Sequence, residues 1–210
     1  MKLYELGPTR SIRVRWMLQE LGIDFESVPV DLPGGEHRSA QFRALNPAGK
    51  IPVLVDEDWV LTESVAIVLY LAEKYPERGL LPADLRERAD AYRWMLFAVT
   101  ELEQPLWRIA RHTNRYPPEQ RLPADLTLAQ REFRAMAAVL ERHMGGREFV
   151  AGSAMSAADI IVAYTLDWAQ NYALLEDCPE LRAYLERMYA RPAAPRRIVE
   201  WLREARAAAH

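Results

Sequence analysis

The stretch NPAGKIPVLVDEDWVLTES, Asn46 to Ser64, decides how the rest of the chain is read. A proline sits just inside an apolar run, an acidic turn follows, and Thr62-Glu63-Ser64 opens a helical pattern. That order brings exposed backbone close to a helix N-terminus, where free N–H groups and the positive helix end suit a small anionic or zwitterionic ligand. Pro52 cannot donate to a ladder, so at the head of a strand it leaves a neighbouring edge unpaired. A trans bond makes it an ordinary edge-strand proline; a cis bond turns the edge outward. Ser64 offers a hydroxyl and an N–H to a carboxylate, and Glu63 offers a counter-charge to an ammonium. The same residues serve equally well as the N-cap and first-turn acid of a plain helix.

Upstream, Lys2 to Glu5 reads as a short strand broken by Gly7-Pro8, and Ile12, Trp16 and Leu21 follow at helical spacing. Gly22 falls where a left-handed C-cap is expected. Phe25 to Asp31 alternates loosely enough for a second strand, giving a strand, helix, strand unit with a parallel pair. Pro33-Gly34-Gly35 opens a loop, and Ser39 to Leu45 is at most a short helix. Ile51 to Val55 and Trp59 to Leu61 are close enough to form a hairpin around Asp56-Glu57-Asp58. Val65, Val68, Leu69 and Ala72 continue a helix to Tyr75, and Pro76 stops it.

Beyond Leu81-Pro82 the composition changes to Ala, Arg, Glu and Leu, with helical patterns around 85 to 113, 124 to 144, 156 to 172, 179 to 190 and 196 to 208. Pro105 is expected to kink or break the first of these. The division expected is 1–78 as an α/β domain, 79–84 as a linker and 85–210 as an all-α domain. In GSAMSAADIIVAYTLDW, Ser156 and Asp159 have the S-x-x-D spacing of a capping box directly before an apolar run.

At 210 residues the chain is long enough to bury roughly 70% of its unfolded surface without staples. Its formal charge of −3 argues against nucleic acid as the main partner. MKLYELG lacks a signal-peptide apolar region and no apolar run reaches the roughly 20 residues of a membrane span, so a soluble cytoplasmic protein is expected, with no membrane partner. Cys178 is the single cysteine, which excludes an internal disulfide. His37, His112, His143 and His210 show no metal-ligand spacing, and no metal is expected.

Taken together, NPAGKIPVL, the acidic-serine pair in LTESVAIVLYLAEKYP and the Ser156/Asp159 segment closely resemble the soluble, cytosolic-type bacterial glutathione transferase family, over essentially the whole chain. The resemblance implies a thioredoxin-like α/β N-terminal domain with Pro52 in cis, an all-α helical C-terminal domain, and a homodimer. It implies that glutathione is bound through Ser64 and Glu63 at its γ-glutamyl end, through Ile51 at its cysteinyl backbone, and near Lys50 and His37 at its glycyl carboxylate. Ser156 and Asp159 are then structural. The residue types fit, since a helix start and Lys50 suit carboxylates and Glu63 suits an ammonium.

Family members activate the glutathione thiol with a Tyr, Ser or Cys near the first helix. Here that region is ELGPTRSIRVRWMLQELG. Its Arg13-Val14-Arg15 is similar to the zeta and tau groups, whose serine falls on Pro8, while the cysteine of the beta group falls on Arg10; the class stays unassigned. The hydroxyl is expected from Thr9 or Ser11, with Arg10 as electrostatic help, unless Tyr4 swings in; N-capping is the competing role for both hydroxyls. Trp107, His112, Tyr116, Trp168 and Tyr172 are candidates for a hydrophobic electrophile pocket, with core packing as the alternative. The function implied is conjugation of the glutathione thiolate to a small hydrophobic electrophile in detoxification. Glutathione-dependent reduction or isomerisation is the runner-up, the isomerase weakened by the missing SSC triplet. A non-catalytic binding module is the rival of another class.

Overall fold

The computed structural model describes residues 1–207; His210 and the last residue of the expected 196 to 208 helix lie outside the described residues. The first strands are β1, Lys2–Glu5, and β2, Glu26–Pro29, paired in parallel through α1, Ser11–Leu21. Gly22 ends α1 at φ 66°, the left-handed cap its position called for. A short turn of 3-10 helix, Glu36–Arg38, precedes α2, Ala40–Leu45, which Ser39 caps by accepting the Phe42 N–H at 3.1 Å. Next come β3, Val53–Asp56, and β4, Trp59–Thr62, then α3, Ser64–Lys74. The sheet order is β2-β1-β3-β4, with β3 antiparallel to both neighbours.

Strand alternation divides the core of this unit. Tyr4 and Val53 pack with Phe42 and Val30 on one face, where the Tyr4 and Phe42 rings meet edge to face at 6.2 Å. Tyr4 thus packs within its strand. Leu3 and Leu54, paired in register, point the other way and are fully buried, as are Val14, Leu18, Ile67 and Leu71 of α1 and α3.

The Asp56 carboxylate at the end of β3 accepts from Tyr70 at 2.5 Å and from Lys74, both on α3. Burial pushes the Asp56 carboxyl up, but the donors from Lys74 and Tyr70 outweigh it and hold it below 3.8. A lowered folded value means that the group stabilises the fold above about pH 3.8 and that the contribution is lost as pH falls through the folded value. Lys74→Met is therefore expected to cost about 1–2 kcal/mol at pH 7, and urea unfolding at pH 3 should find the gap between the two proteins much narrower.

In the rest of the chain α4 is Leu85–Phe97, α5 Glu103–Ala110, α6 Pro123–Met144, α7 Ala157–Gln170, α8 Pro179–Tyr189 and α9 Ile198–Ala207. Ahead of Pro105 the first helical run is interrupted as an α-helix but stays helical. Because Pro105 lacks an N–H, the carbonyl four residues earlier has no α-helical donor. The chain answers with a π turn over Ala98–Leu102, in which the Glu103 N–H reaches back to the Ala98 carbonyl, and the helical path continues. Leu102, Leu106, Phe133, Leu140, Ile160 and Leu181 are buried in this unit.

The compact units are Met1–Leu81 together with the segment from Arg191, and Pro82–Ala190. The expected 85–210 domain is thus corrected at its end. Arg191 donates twice to Glu20 of α1, at 2.8 and 2.9 Å, which fastens that segment to the first unit. Among the described residues no helix is long and apolar enough to cross a membrane.

Candidate functional site

Register gathers the residues around Asn46 to Ser64. The hairpin opens after the Val53↔Thr62 pair, so Ile51-Pro52 and Glu63-Ser64 lie at the same end of it. Tyr4 pairs with Val53 on antiparallel β1, so the chain leaving β1 through Gly7 to Arg10 emerges at that end too. The Ile51-Pro52 bond is cis, as the resemblance implied, and Gly7-Pro8 is cis as well.

Asn46 holds the turn before Pro52. It is buried, accepts the Ala48 N–H at 3.0 Å on its side chain, and donates to the Lys50 carbonyl at 2.7 Å. Gly49 has φ +61°, and a Cβ there would stand 2.9 Å from the His37 carbonyl oxygen, so only glycine lets the two turns approach this closely. His37 and Lys50 are thereby brought to neighbouring backbone, Lys50 exposed and His37 half-buried. Ile51 is half-buried and precedes the ladder, which starts at Val53.

Glu63 is exposed and takes φ +69°, a conformation unusual for a residue with a side chain, at the entrance of α3. Such strain concentrates at functional sites. Ser64 follows as the first helical residue and is buried, beside N–H groups of the first turn that have no intrahelical acceptor. Its hydroxyl oxygen accepts from Arg13 of α1 at 3.3 Å. Arg13 is 1% exposed. In sequence its signal is an arginine set among the apolar Ile12, Val14 and Met17, the setting of a cation buried within the unit.

The two hydroxyls proposed for the thiol sit together. Thr9 Oγ1 lies 2.6 Å from the Leu6 carbonyl oxygen and 2.9 Å from Ser11 Oγ, and accepts the Ser11 N–H at 3.2 Å. A hydroxyl has one proton and a carbonyl only accepts, so Thr9 donates to Leu6 and Ser11 donates to Thr9. Thr9 thus links the Leu6 carbonyl to Ser11 just ahead of α1, whose N-cap residue is Arg10 and carries no side-chain cap bond. Ser11 is 1% exposed, with its hydroxyl turned to Thr9. Arg10 is the half-buried residue at the helix entrance. Trp201 of α9 presses on this loop from behind, since a Cβ on Gly7 would come within 2.5 Å of its ring.

The five pocket candidates fall in the helical unit in two pairs and a single residue. Trp107 and Trp168 are half-buried and meet edge to face at 5.5 Å. His112 and Tyr116 do so at 5.3 Å. His112 is buried, accepts the Leu122 N–H on Nδ1 at 3.1 Å and has Nε2 3.2 Å from Asp125, so both ring nitrogens are engaged in holding the start of α6. Tyr172 follows α7 and is half-buried. A cavity of about 640 Å³ lies at the other end of α1, around Arg15, Gly22 and Phe25, away from the turn at Pro52. Among the described residues no group of three or more His, Cys, Asp or Glu could hold a metal.

Residues 1–73 match the family described as glutathione S-transferase, N-terminal domain, and residues 83–187 match glutathione S-transferase, C-terminal domain. The chain is 40% identical over 157 residues to glutathione S-transferase 1 of Dianthus caryophyllus, covering 72% of this chain and 68% of that protein. Its fold is similar to a glutathione S-transferase domain-containing protein of Marinobacter aquaeolei VT8, with a TM-score of 0.83, 29% identity, and coverage of 93% of this chain and 100% of the other. It is also similar to a glutathione transferase of Burkholderia graminis solved with two glutathione molecules per subunit, with a TM-score of 0.85, 27% identity, and coverage of 92% and 85%.

Proposed function

The chain belongs to the glutathione S-transferase family, and we propose that it conjugates the thiolate of glutathione to a small hydrophobic electrophile. The observation that carries this reading is the convergence of Gly7 to Arg10, cis Ile51-Pro52 and Glu63-Ser64 at one end of the sheet. Ser64 and the start of α3 hold the γ-glutamyl carboxylate and Glu63 its ammonium. Backbone at Ile51 pairs with the cysteinyl unit, and Lys50 with His37 meets the glycyl carboxylate. The Thr9 hydroxyl, turned from Leu6, donates to the sulfur with Arg10 nearby, which favours thiolate over thiol. The thiol proton leaves to solvent; the sulfur lone pair then forms the C–S bond while the leaving group departs with its electron pair. Trp107, Tyr116, Trp168 and Tyr172 are proposed to face the electrophile. Action as a cytoplasmic homodimer in detoxification belongs to the same proposal.

A second reading is favoured by the two glutathiones held by the Burkholderia graminis relative. A site with room for two sulfurs suits disulfide reduction, in which the thiolate attacks one sulfur of R–S–S–R, RS⁻ leaves, and a second glutathione resolves the mixed disulfide to glutathione disulfide. Such chemistry requires no protein cysteine, in keeping with a Cys178 that is buried in the helical unit.

Thiolate absorbance of the bound cosubstrate against pH tests the shared step. Conjugation predicts an apparent thiol pKa well below the ordinary value of about 8.5 and turnover of chlorodinitrobenzene. Faster turnover of hydroxyethyl disulfide selects the second reading. Binding with an ordinary thiol pKa and no turnover of either indicates a binding module.

A further inference from the structure

We infer that Arg13 fixes the direction of the Ser64 hydroxyl, making Ser64 a dedicated donor to the carboxylate it meets; this rests on the glutathione reading above. The Arg13 guanidinium donates to Ser64 Oγ at 3.3 Å across 51 residues of sequence, and both side chains are buried. A guanidinium carries only donors and keeps its charge at every pH a protein survives. Ser64 Oγ therefore has to accept from Arg13, and its single proton is directed away from α1. Without such a neighbour a serine hydroxyl is a free rotor, equally ready to accept, and much of the time it would face a carboxylate with a lone pair. With Arg13 in place the hydroxyl lies between a group that only donates and a ligand group that only accepts. Arg13 N–H to Ser64 O–H to carboxylate is then a chain in which each bond polarises the next.

Arg13 is in this account a positioning residue, acting through Ser64. Its chemistry also sets what the site rejects. A ligand group that is purely a donor, such as an ammonium, finds the Ser64 proton aimed at it, so the serine selects the carboxylate end of the γ-glutamyl unit and leaves the ammonium to Glu63.

The test is a cycle of Arg13→Gln, Arg13→Lys, Ser64→Ala and the Gln/Ala double variant, titrated with glutathione. Lysine is also donor-only, so Arg13→Lys is expected to stay within about threefold of the parent protein, whereas glutamine offers a carbonyl that can draw the Ser64 proton inward. Arg13→Gln is expected to weaken binding about tenfold, with kcat at saturating glutathione within about twofold, and Ser64→Ala is expected to add less than about twofold on that background. Full additivity of the two substitutions, or Arg13→Gln binding like the parent, overturns the inference alone. No glutathione binding by the parent protein overturns the inference together with the reading beneath it. If Arg13→Gln does not fold, a crystal structure of the parent complex decides. Ser64 Oγ is expected about 2.5–2.7 Å from the carboxylate with the Arg13 bond kept; Arg13 leaving Ser64 to bind the carboxylate itself contradicts the proposal.

Discussion

Asp159→Ala is expected to lower the unfolding free energy by about 3–5 kcal/mol, a shift of roughly 1.5–2.5 M in the urea midpoint for a protein with an m-value of about 2 kcal/mol/M. Asp159 is fully buried, and all four of its described partners are donors. Oδ1 accepts the Val150 N–H at 2.8 Å and the Tyr184 hydroxyl at 2.9 Å, and Oδ2 accepts the Ser156 N–H at 2.9 Å and the Ser156 hydroxyl at 3.1 Å. Burial pushes the carboxyl up, and these bonds work against it. Truncation strands buried donors from three segments at once, which costs far more than the loss of a surface cap. Ser156→Ala, which removes one donor and the cap on the Ala158 N–H, should cost only about 1 kcal/mol. Equal losses for the two variants would refute the view that Asp159 is the hub of the segment.

Ser64→Ala is expected to weaken glutathione binding by about 10- to 100-fold, the equivalent of one hydrogen bond to a charged group at roughly 1.5–3 kcal/mol. Stability should fall by about 1–2 kcal/mol, because the buried Arg13 guanidinium loses the Ser64 hydroxyl as an acceptor. The separation between the two readouts is the informative part. A serine serving merely as a helix-start residue would change the unfolding midpoint and leave affinity unaltered; one that meets a ligand carboxylate loses affinity whatever the change in stability.

Much of the fold was legible because it depends on neighbours in sequence. Gly22 as a left-handed cap, the hairpin around Glu57, and the Ser156/Asp159 capping box all follow from residue types at short range. The cis state of Pro52 came from the resemblance, since spacing alone left both isomers open. What was missed is non-local. Arg13 reads as one of several arginines on a helix until α3 packs beside it and encloses it with Ser64. Ser11 reads as an available hydroxyl until packing buries it against Thr9. His112 looks like a pocket residue, yet its ring nitrogens are taken by Leu122 and Asp125, 10 and more residues further on. The Arg191 segment shares its composition with the helical unit and joins the other one through a pair of hydrogen bonds to Glu20.

Glutathione recognition is proposed to rest on the turn and helix start between Asn46 and Ser64. Calorimetric titration of the parent protein and of Ser64→Ala with glutathione tests it most directly. Saturable binding by the parent, weakened at least tenfold in the variant, is the predicted result; no saturable binding by the parent, or the same affinity in both proteins, would contradict it.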